Sequence, residues 1–330
     1  MEYRQFGNTD LKVSVIGFGA WAIGGPAMAG SIPIGWGNVD DKTSADAIRK
    51  SVEAGVNFFD TADFYGLGHS EELIGNVIGN NPEIIIATKV GHKLSEKNDF
   101  ILDYSKDHIT LACEKSLKRL RRDCIDYYQL HSARTEHLIN GECIEAMEEL
   151  RDAGKIRFWG LSLNTFNPFP EAEFLISRKI ANGFQLVFNL INQRALSLFK
   201  SMYDNSYGII ARMPLQFGLL TGKFDSASSF EKADHRSFRL TKEIIAGSNK
   251  ALESIWKFAD KYKISKTTLS LSYILNYPEI STVIPGIKTP EQAIENSQSY
   301  VQFENEEMDL IRKIYKDEMI LLLDKIEKQG

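Results

Sequence analysis

A chain of 330 residues, 43% hydrophobic and 25% charged, carries enough apolar mass for a large core, which excludes a disordered or fibrous protein. A formal net charge of -5 argues against a nucleic-acid partner, whose footprint is a basic face. No run reaches the ~18 apolar residues that span a bilayer, the opening MEYRQFGNTD has no signal-like pattern, and Cys113, Cys124 and Cys143 form neither a CxxC nor an even set, so a cytoplasmic protein without membrane partners is predicted.

In chain order, EYRQFGNTDLKVS predicts a hairpin turning at Asn8 to Asp10. Eight strands follow, at 13–21, 56–62, 83–90, 126–131, 156–163, 183–190, 207–213 and 280–286, several of them near-continuous apolar runs as in a parallel sheet covered on both faces. Helical patterns lie between them. SADAIRKSVEAG has Ser44 as a candidate cap and Gly55 as a stop, HITLACEKSLKRL puts Ile109, Cys113, Leu117 and Leu120 on one face, and GECIEAMEELRDAG stops at Gly154. Two irregular stretches, 24–38 and 224–240, have the length of functional lids, although a solvated polar loop is the simpler reading for Asp234, His235 and Arg236. An extra helix over 304–328 should pack Met308, Ile311, Ile314 and Tyr315 inward. Strands alternating with helices, with no linker between halves, predict one α/β domain over 1–330, a (β/α)8 TIM barrel with an N-terminal hairpin and an extra C-terminal helix.

Gly17, Gly19 and Ala22 also fit the dinucleotide fingerprint GxGxxA, but that motif requires a helix straight after the glycines, and Gly24, Gly25, Pro26 and Gly30 break one. Trp21 and Gly24 are better placed to line a cofactor and substrate mouth. The six histidines show no metal-ligand spacing, so no metal is expected.

Barrel enzymes carry their chemistry at the C-terminal ends of the strands. Four polar residues fall there: Asp60 closing VNFFD, Tyr65 on the following loop, Lys89 ending IIIATK and His131 ending DYYQLH. Singly, each has a bland alternative as a turn former, a cap or a surface aromatic. Together they suit proton delivery to a developing alkoxide. An ammonium beside a phenol lowers its pKa, a carboxylate holds that ammonium charged, and an imidazole orients the substrate oxygen. The set lacks a hydride source, so a cofactor is required.

The stretches NFFDTADFYGLGHSEELIG, IIIATKV and DYYQLH, followed by WGLSLN, GFQLVFN, PLQFGLLTGK and PGIKTPEQAIEN, resemble the aldo-keto reductases over nearly the whole chain. The resemblance implies a hairpin closing the barrel bottom, an Asp60, Tyr65, Lys89, His131 tetrad, NADP(H) with NAD(H) as the alternative, and a small-molecule carbonyl substrate. Trp21 joins the cofactor contacts at the mouth. Ser162 and Gln185 are implied to bind the nicotinamide carboxamide. Leu215, Gln216, Gly218 and Leu219 through Lys223 are implied to wrap the pyrophosphate, and Gly286, Lys288, Gln292, Glu295 and Asn296 to meet ribose, phosphate and adenine. Lys288 as a point charge favours the 2′-phosphate of NADPH.

Two departures stand out. Arg212 occupies the place of a tyrosine that stacks on nicotinamide in many members, where a guanidinium disfavours the cationic oxidised ring; alternatively it points elsewhere. The asparagine usual after the serine of the fifth strand is Leu163, with Asn164 one place on. Two competing functions are a cofactor-sensing subunit like those of potassium channels, and a phosphate-binding barrel lyase or isomerase forming a Schiff base on Lys89, against which the motif PGIKTPEQAIEN counts. The aromatics Trp21, Trp36, Phe64, Phe166 and Phe169 suggest an apolar lip, while Asn164 and Arg212 offer donors for hydroxyls, leaving sugars and aliphatic or aromatic aldehydes open.

Overall fold

The computed structural model describes residues 1–232 and 234–329. Eight parallel strands lie side by side in chain order: β1 (Phe18–Gly19), β2 (Phe58–Asp60), β3 (Ile85–Val90), β4 (Ile125–His131), β5 (Ile156–Ser162), β6 (Gly183–Val187), β7 (Gly208–Arg212) and β8 (Thr282–Ile284). Parallel bridges between Ile16 and Val283 and between Gly19 and Gly286 join the first strand to the last, so the sheet closes as a barrel. β3 is buried at every position, because helices cover its outer face and side chains fill the barrel inside.

The strand expected over 13–21 is divided. Lys12–Ser14 pairs with Tyr3–Gln5 in the hairpin, and only Phe18–Gly19 enters the barrel. Between them the Ser14 hydroxyl donates to the Ile16 carbonyl at 2.7 Å, which turns the chain. Phe6, Leu11 and Val13 of the hairpin pack with Phe58, Ile85, Tyr127, Ile210 and Ile284 as a separate apolar cluster. The Phe6 ring rests over Gly183 and Gly208, where a Cβ would come within 2.7 and 2.6 Å of it, so this plug needs glycine beneath it.

The helix expected to be capped by Ser44 spans Asp41–Glu53 and is capped by Asp40, whose carboxylate accepts from the Thr43 N–H at 2.7 Å. A carboxylate there also meets the positive end of the helix dipole. The C-terminal helix runs Asn305–Ile314 and Ile320–Lys328 through one π-helical turn, Tyr315–Met319, and buries Ile311 and Ile314 as expected. Arg194 ties it to the barrel through Asp324 at 2.8 Å and Glu327 at 2.6 Å. Among the described residues no helix is long and apolar enough to cross a membrane.

The two long loops meet. The first contains a small hairpin, Met28–Ala29 with Ile32–Pro33, and its Trp36 forms an antiparallel bridge with Asp234 of the second. The second is not the solvated segment expected from its polarity, since Asp234 and His235 are buried.

Candidate active site

β2, β3 and β4 bring Asp60, Lys89 and His131 to the same end of the barrel. Tyr65 arrives from the loop after β2, which folds back because Gly66 and Leu67 adopt left-handed conformations. A Cβ on Gly66 would collide with the Gly24 carbonyl, so the two loops touch backbone to backbone at this point. The helix His69–Ile78 is anchored beneath. Glu71, fully buried, accepts from Thr88 at 2.6 Å and from Arg119 at 2.7 Å, which fixes that helix to the strand carrying Lys89.

Lys89 is fully buried, and its ammonium donates to Asp60 Oδ1 at 2.6 Å, to the Thr61 carbonyl at 2.8 Å and to the Tyr65 oxygen at 3.3 Å. Because lysine approaches that oxygen as a donor, the phenolic proton points away from it. Asp60 Oδ2 accepts from Gln129 at 3.1 Å and from Gln185 at 2.7 Å, so both carboxylate oxygens are satisfied. Burial works against the ammonium, but the Asp60 carboxylate and the Tyr65 oxygen together outweigh it and hold Lys89 above its ordinary pKa.

The phenol behaves differently from the sequence expectation. Burial raises the Tyr65 pKa above its ordinary value despite Lys89, which pulls the other way. A neutral phenol facing a cavity is a proton donor rather than a nucleophile.

His131 stacks on His92 with ring centroids 3.8 Å apart, and its backbone carbonyl accepts from the Tyr104 hydroxyl at 2.5 Å. Its Nδ1 is buried with no partner. Burial, then the neighbouring His92, Lys89 and Arg212, push His131 well below the usual imidazole range; burial likewise takes His92 to about 3, and His235 to about 3. All three rings are neutral in the folded protein at physiological pH.

Since the unfolded chain protonates imidazole near ~6.5, each ring should cost the fold on the order of 1.4 kcal/mol per pH unit below that value. Urea unfolding of the ligand-free protein is therefore expected to show stability falling steeply from pH 7 to pH 5, with a shallower fall in H235F. A flat profile over that range would exclude this origin of acid sensitivity.

A cavity of about 590 Å³ opens above these groups. Of the residues expected at the site, Trp21, Asp60, Tyr65, His131, Gln185, Arg212, Leu215, Gln216, Gly218, Lys223, Gly286 and Gln292 line it. Lys89 lies beneath. Ser162 and Leu219 are buried, Asn296 is 4% exposed, and Lys288 donates to the Trp36 carbonyl at 3.2 Å. Glu295 stands 3.9 Å from Lys223, and Gln292 accepts from the Lys288 N–H at 2.7 Å.

The chain fits an elongated anionic cofactor at this mouth. Met213, Gln216, Phe217, Gly218 and Gly222 all have positive φ, and the N–H groups of Gln216, Gly218 and Gly222 close tight turns on the Met213, Leu215 and Leu219 carbonyls, which curls this segment around the mouth. Basic groups stand nearby: Lys223, Arg236 and Arg239 line the cavity, and the Lys288 ammonium lies 5.6 Å from the Trp36 ring centroid.

Several contributors escaped the sequence reading. Gln129 shares the inward register of His131 on β4, and that period-two spacing was a usable signal. His92 had none, because its place depends on the short hairpin His92–Leu94 with Phe100–Leu102. His235 stacks on Trp21 at 4.7 Å, and Trp21 in turn faces Tyr65 at 6.0 Å. Only the meeting of the two loops creates that stack.

The barrel and the residues at its mouth define an oxidoreductase-like α/β protein, and the aldo/keto reductase family matches residues 15–316. The chain belongs to that family, whose members bind nicotinamide cofactors. It is 32% identical over 303 residues to the "Uncharacterized oxidoreductase YqkF" of Bacillus subtilis, covering 91% of each chain. It is 26% identical to a "Probable voltage-gated potassium channel subunit beta" of Oryza sativa, covering 90% of each. The glycerol dehydrogenase AKR11B4 from Gluconobacter oxydans superposes with a TM-score of 0.80 at 27% identity, covering 96% of this chain and 95% of that one.

Proposed function

We propose that this chain is an NADP(H)-dependent carbonyl reductase in which Tyr65 protonates the substrate oxygen. The observation that carries the reading is the Lys89 ammonium, bonded at once to Asp60 and to the Tyr65 oxygen below the cavity. When bound, a reduced nicotinamide supplies the hydride to the carbonyl carbon. Tyr65 delivers the proton from its hydroxyl. Lys89 then offers an N–H to the oxygen left behind, and Asp60 keeps that ammonium charged throughout. His131, being neutral, orients the carbonyl by hydrogen bonding rather than by giving up a proton.

For the cofactor, Gln185 and Ser162 are proposed at the nicotinamide end, although the Gln185 amide nitrogen is already engaged by Asp60 and leaves its oxygen as the available acceptor. The segment from Leu215 to Lys223 is proposed to hold the pyrophosphate. Gly286, Lys288, Gln292, Glu295 and Asn296 are proposed at the adenosine end, with Lys288 taking a 2′-phosphate once it leaves the Trp36 carbonyl. Lys288→Met is then expected to raise the Kd for NADPH about tenfold and that for NADH less than about twofold. Fluorescence titration reads both, and equal weakening of the two would remove Lys288 from this role.

The test of the whole reading is oxidation of NADPH, followed by absorbance, across a panel of aldehydes and ketones. The likeness to a potassium-channel beta subunit supports a second reading as a cofactor-binding regulatory subunit. Tight NADPH binding without turnover on any carbonyl compound would favour it.

A further inference from the structure

Arg212 is a cation inside the mouth with no anion beside it. Nη2 donates to the Leu163 carbonyl at 3.0 Å and to Thr165 Oγ1 at 3.1 Å, Nη1 meets Met213 Sδ at 3.2 Å, and Nε is buried without a partner. All these neighbours are neutral. Among the described residues no carboxylate forms an ion pair with Arg212, and Asp60 is already engaged by Lys89, Gln129 and Gln185. Since Asp60 and Lys89 cancel and the nearby histidines are neutral, this part of the cavity carries one uncompensated positive charge.

A half-buried guanidinium without a counter-charge is costly, and it stays protonated even where burial lowers its pKa, as it does here. Such a group is tolerable where a ligand brings the anion. Direction narrows the choice of ligand. The guanidinium is held by Leu163 and Thr165, which follow β5, next to the strand that carries His131; Thr165, Phe166 and Ser132 line the cavity there. The curled segment proposed for the pyrophosphate begins after Arg212 and leads away toward Lys223. Phe64, Phe166 and Trp21 supply apolar surface around the same space, which strengthens any ion pair formed in it.

We infer that Arg212 anchors a carboxylate on the substrate, so that the chain reduces carbonyl compounds bearing a carboxylate in preference to uncharged ones. The inference rests on the carbonyl-reductase reading and specifies its substrate class. In the step itself the carbonyl carbon gains hydride from reduced nicotinamide, the carbonyl oxygen gains the Tyr65 proton, and the carboxylate is unchanged. A guanidinium lining the cavity attracts a carboxylate by its charge, and with Nη2 spent on Leu163 and Thr165 and Nε shut off from the cavity, the second N–H of Nη1 is the donor such a ligand would meet.

The test compares kcat/KM with NADPH for 3- and 4-carboxybenzaldehyde against benzaldehyde, and for 4-oxobutanoate against butanal, in the parent, R212M and R212K. The parent is expected to favour a charged member by at least about tenfold, and R212M to cut that ratio by about 50-fold, the worth of a charged hydrogen bond. R212K, which keeps the charge but not the fork, should fall between them. It also serves if R212M does not fold. A parent that prefers the uncharged partners, or a ratio unmoved in both variants, overturns the inference while leaving the reductase reading intact. If no aldehyde is reduced the reductase reading itself fails; calorimetric titration with 4-(hydroxymethyl)benzoate in the presence of NADP then decides the anchor. Binding by the parent that R212M loses supports it, and no binding by the parent overturns it.

Discussion

Tyr65→Phe is expected to lower kcat for carbonyl reduction by roughly 10³-fold, the range a positioned general acid contributes, while the Kd for NADPH changes less than about twofold. The asymmetry follows from geometry. The Tyr65 oxygen receives a hydrogen bond from Lys89 and keeps its own proton for the cavity, so deleting it removes the proton source and little else. Lys89 retains Asp60 and the Thr61 carbonyl, and the ring of Tyr65 still faces Trp21. Stability should therefore drop by only about 1 kcal/mol, the net worth of one hydrogen bond. Single-turnover mixing of enzyme, NADPH and aldehyde isolates the chemical step; a variant retaining most of the parental rate would assign the proton to another group.

Lys89→Met should be the most damaging single change to the fold of this site. It strands the Asp60 carboxylate, 2% exposed, with only the amides of Gln129 and Gln185 as donors. Breaking one side of a buried ion pair costs about 3–5 kcal/mol, which in a chain of this length should appear as a melting temperature lower by roughly 4–7 °C, together with loss of turnover. Adding Asp60→Asn should recover part of the stability and none of the turnover, since the neutral amide no longer needs the ammonium.

The pH dependence has a definite sign. Lys89 is held above its ordinary pKa in the fold, so its contribution is fully present below about pH 10.4, where the unfolded lysine is still charged, and is lost as pH rises through the folded value. The parent should accordingly lose stability toward alkaline pH more steeply than Lys89→Met does. Identical alkaline limbs in thermal melts would show that the pair stores no such energy.

Arg212 and Tyr65 each show how a local rule can be right about chemistry and silent about context. An ammonium beside a phenol does lower its pKa, yet burial raises that of Tyr65 by more, and burial is a property of the surrounding shell rather than of the motif. Similarly, sequence marks Arg212 as a cation at the end of a strand. That Nη2 finds a carbonyl and a hydroxyl there, and no carboxylate, depends on where the segment after β5 comes to lie.

What the chain dictated by itself is the alternation of apolar strands and amphipathic helices, and the polar residue closing each of three strands. Both are periodicities along the backbone, and once eight parallel strands form, Asp60, Lys89 and His131 must face the same end. The split of the first strand, the His92 stack on His131 and the joining of Trp36 to Asp234 were decided by tertiary structure alone. Each couples segments with no shared period, so it exists only after barrel closure brings the loops together, and the burial it creates sets the charge states of the imidazoles in the mouth.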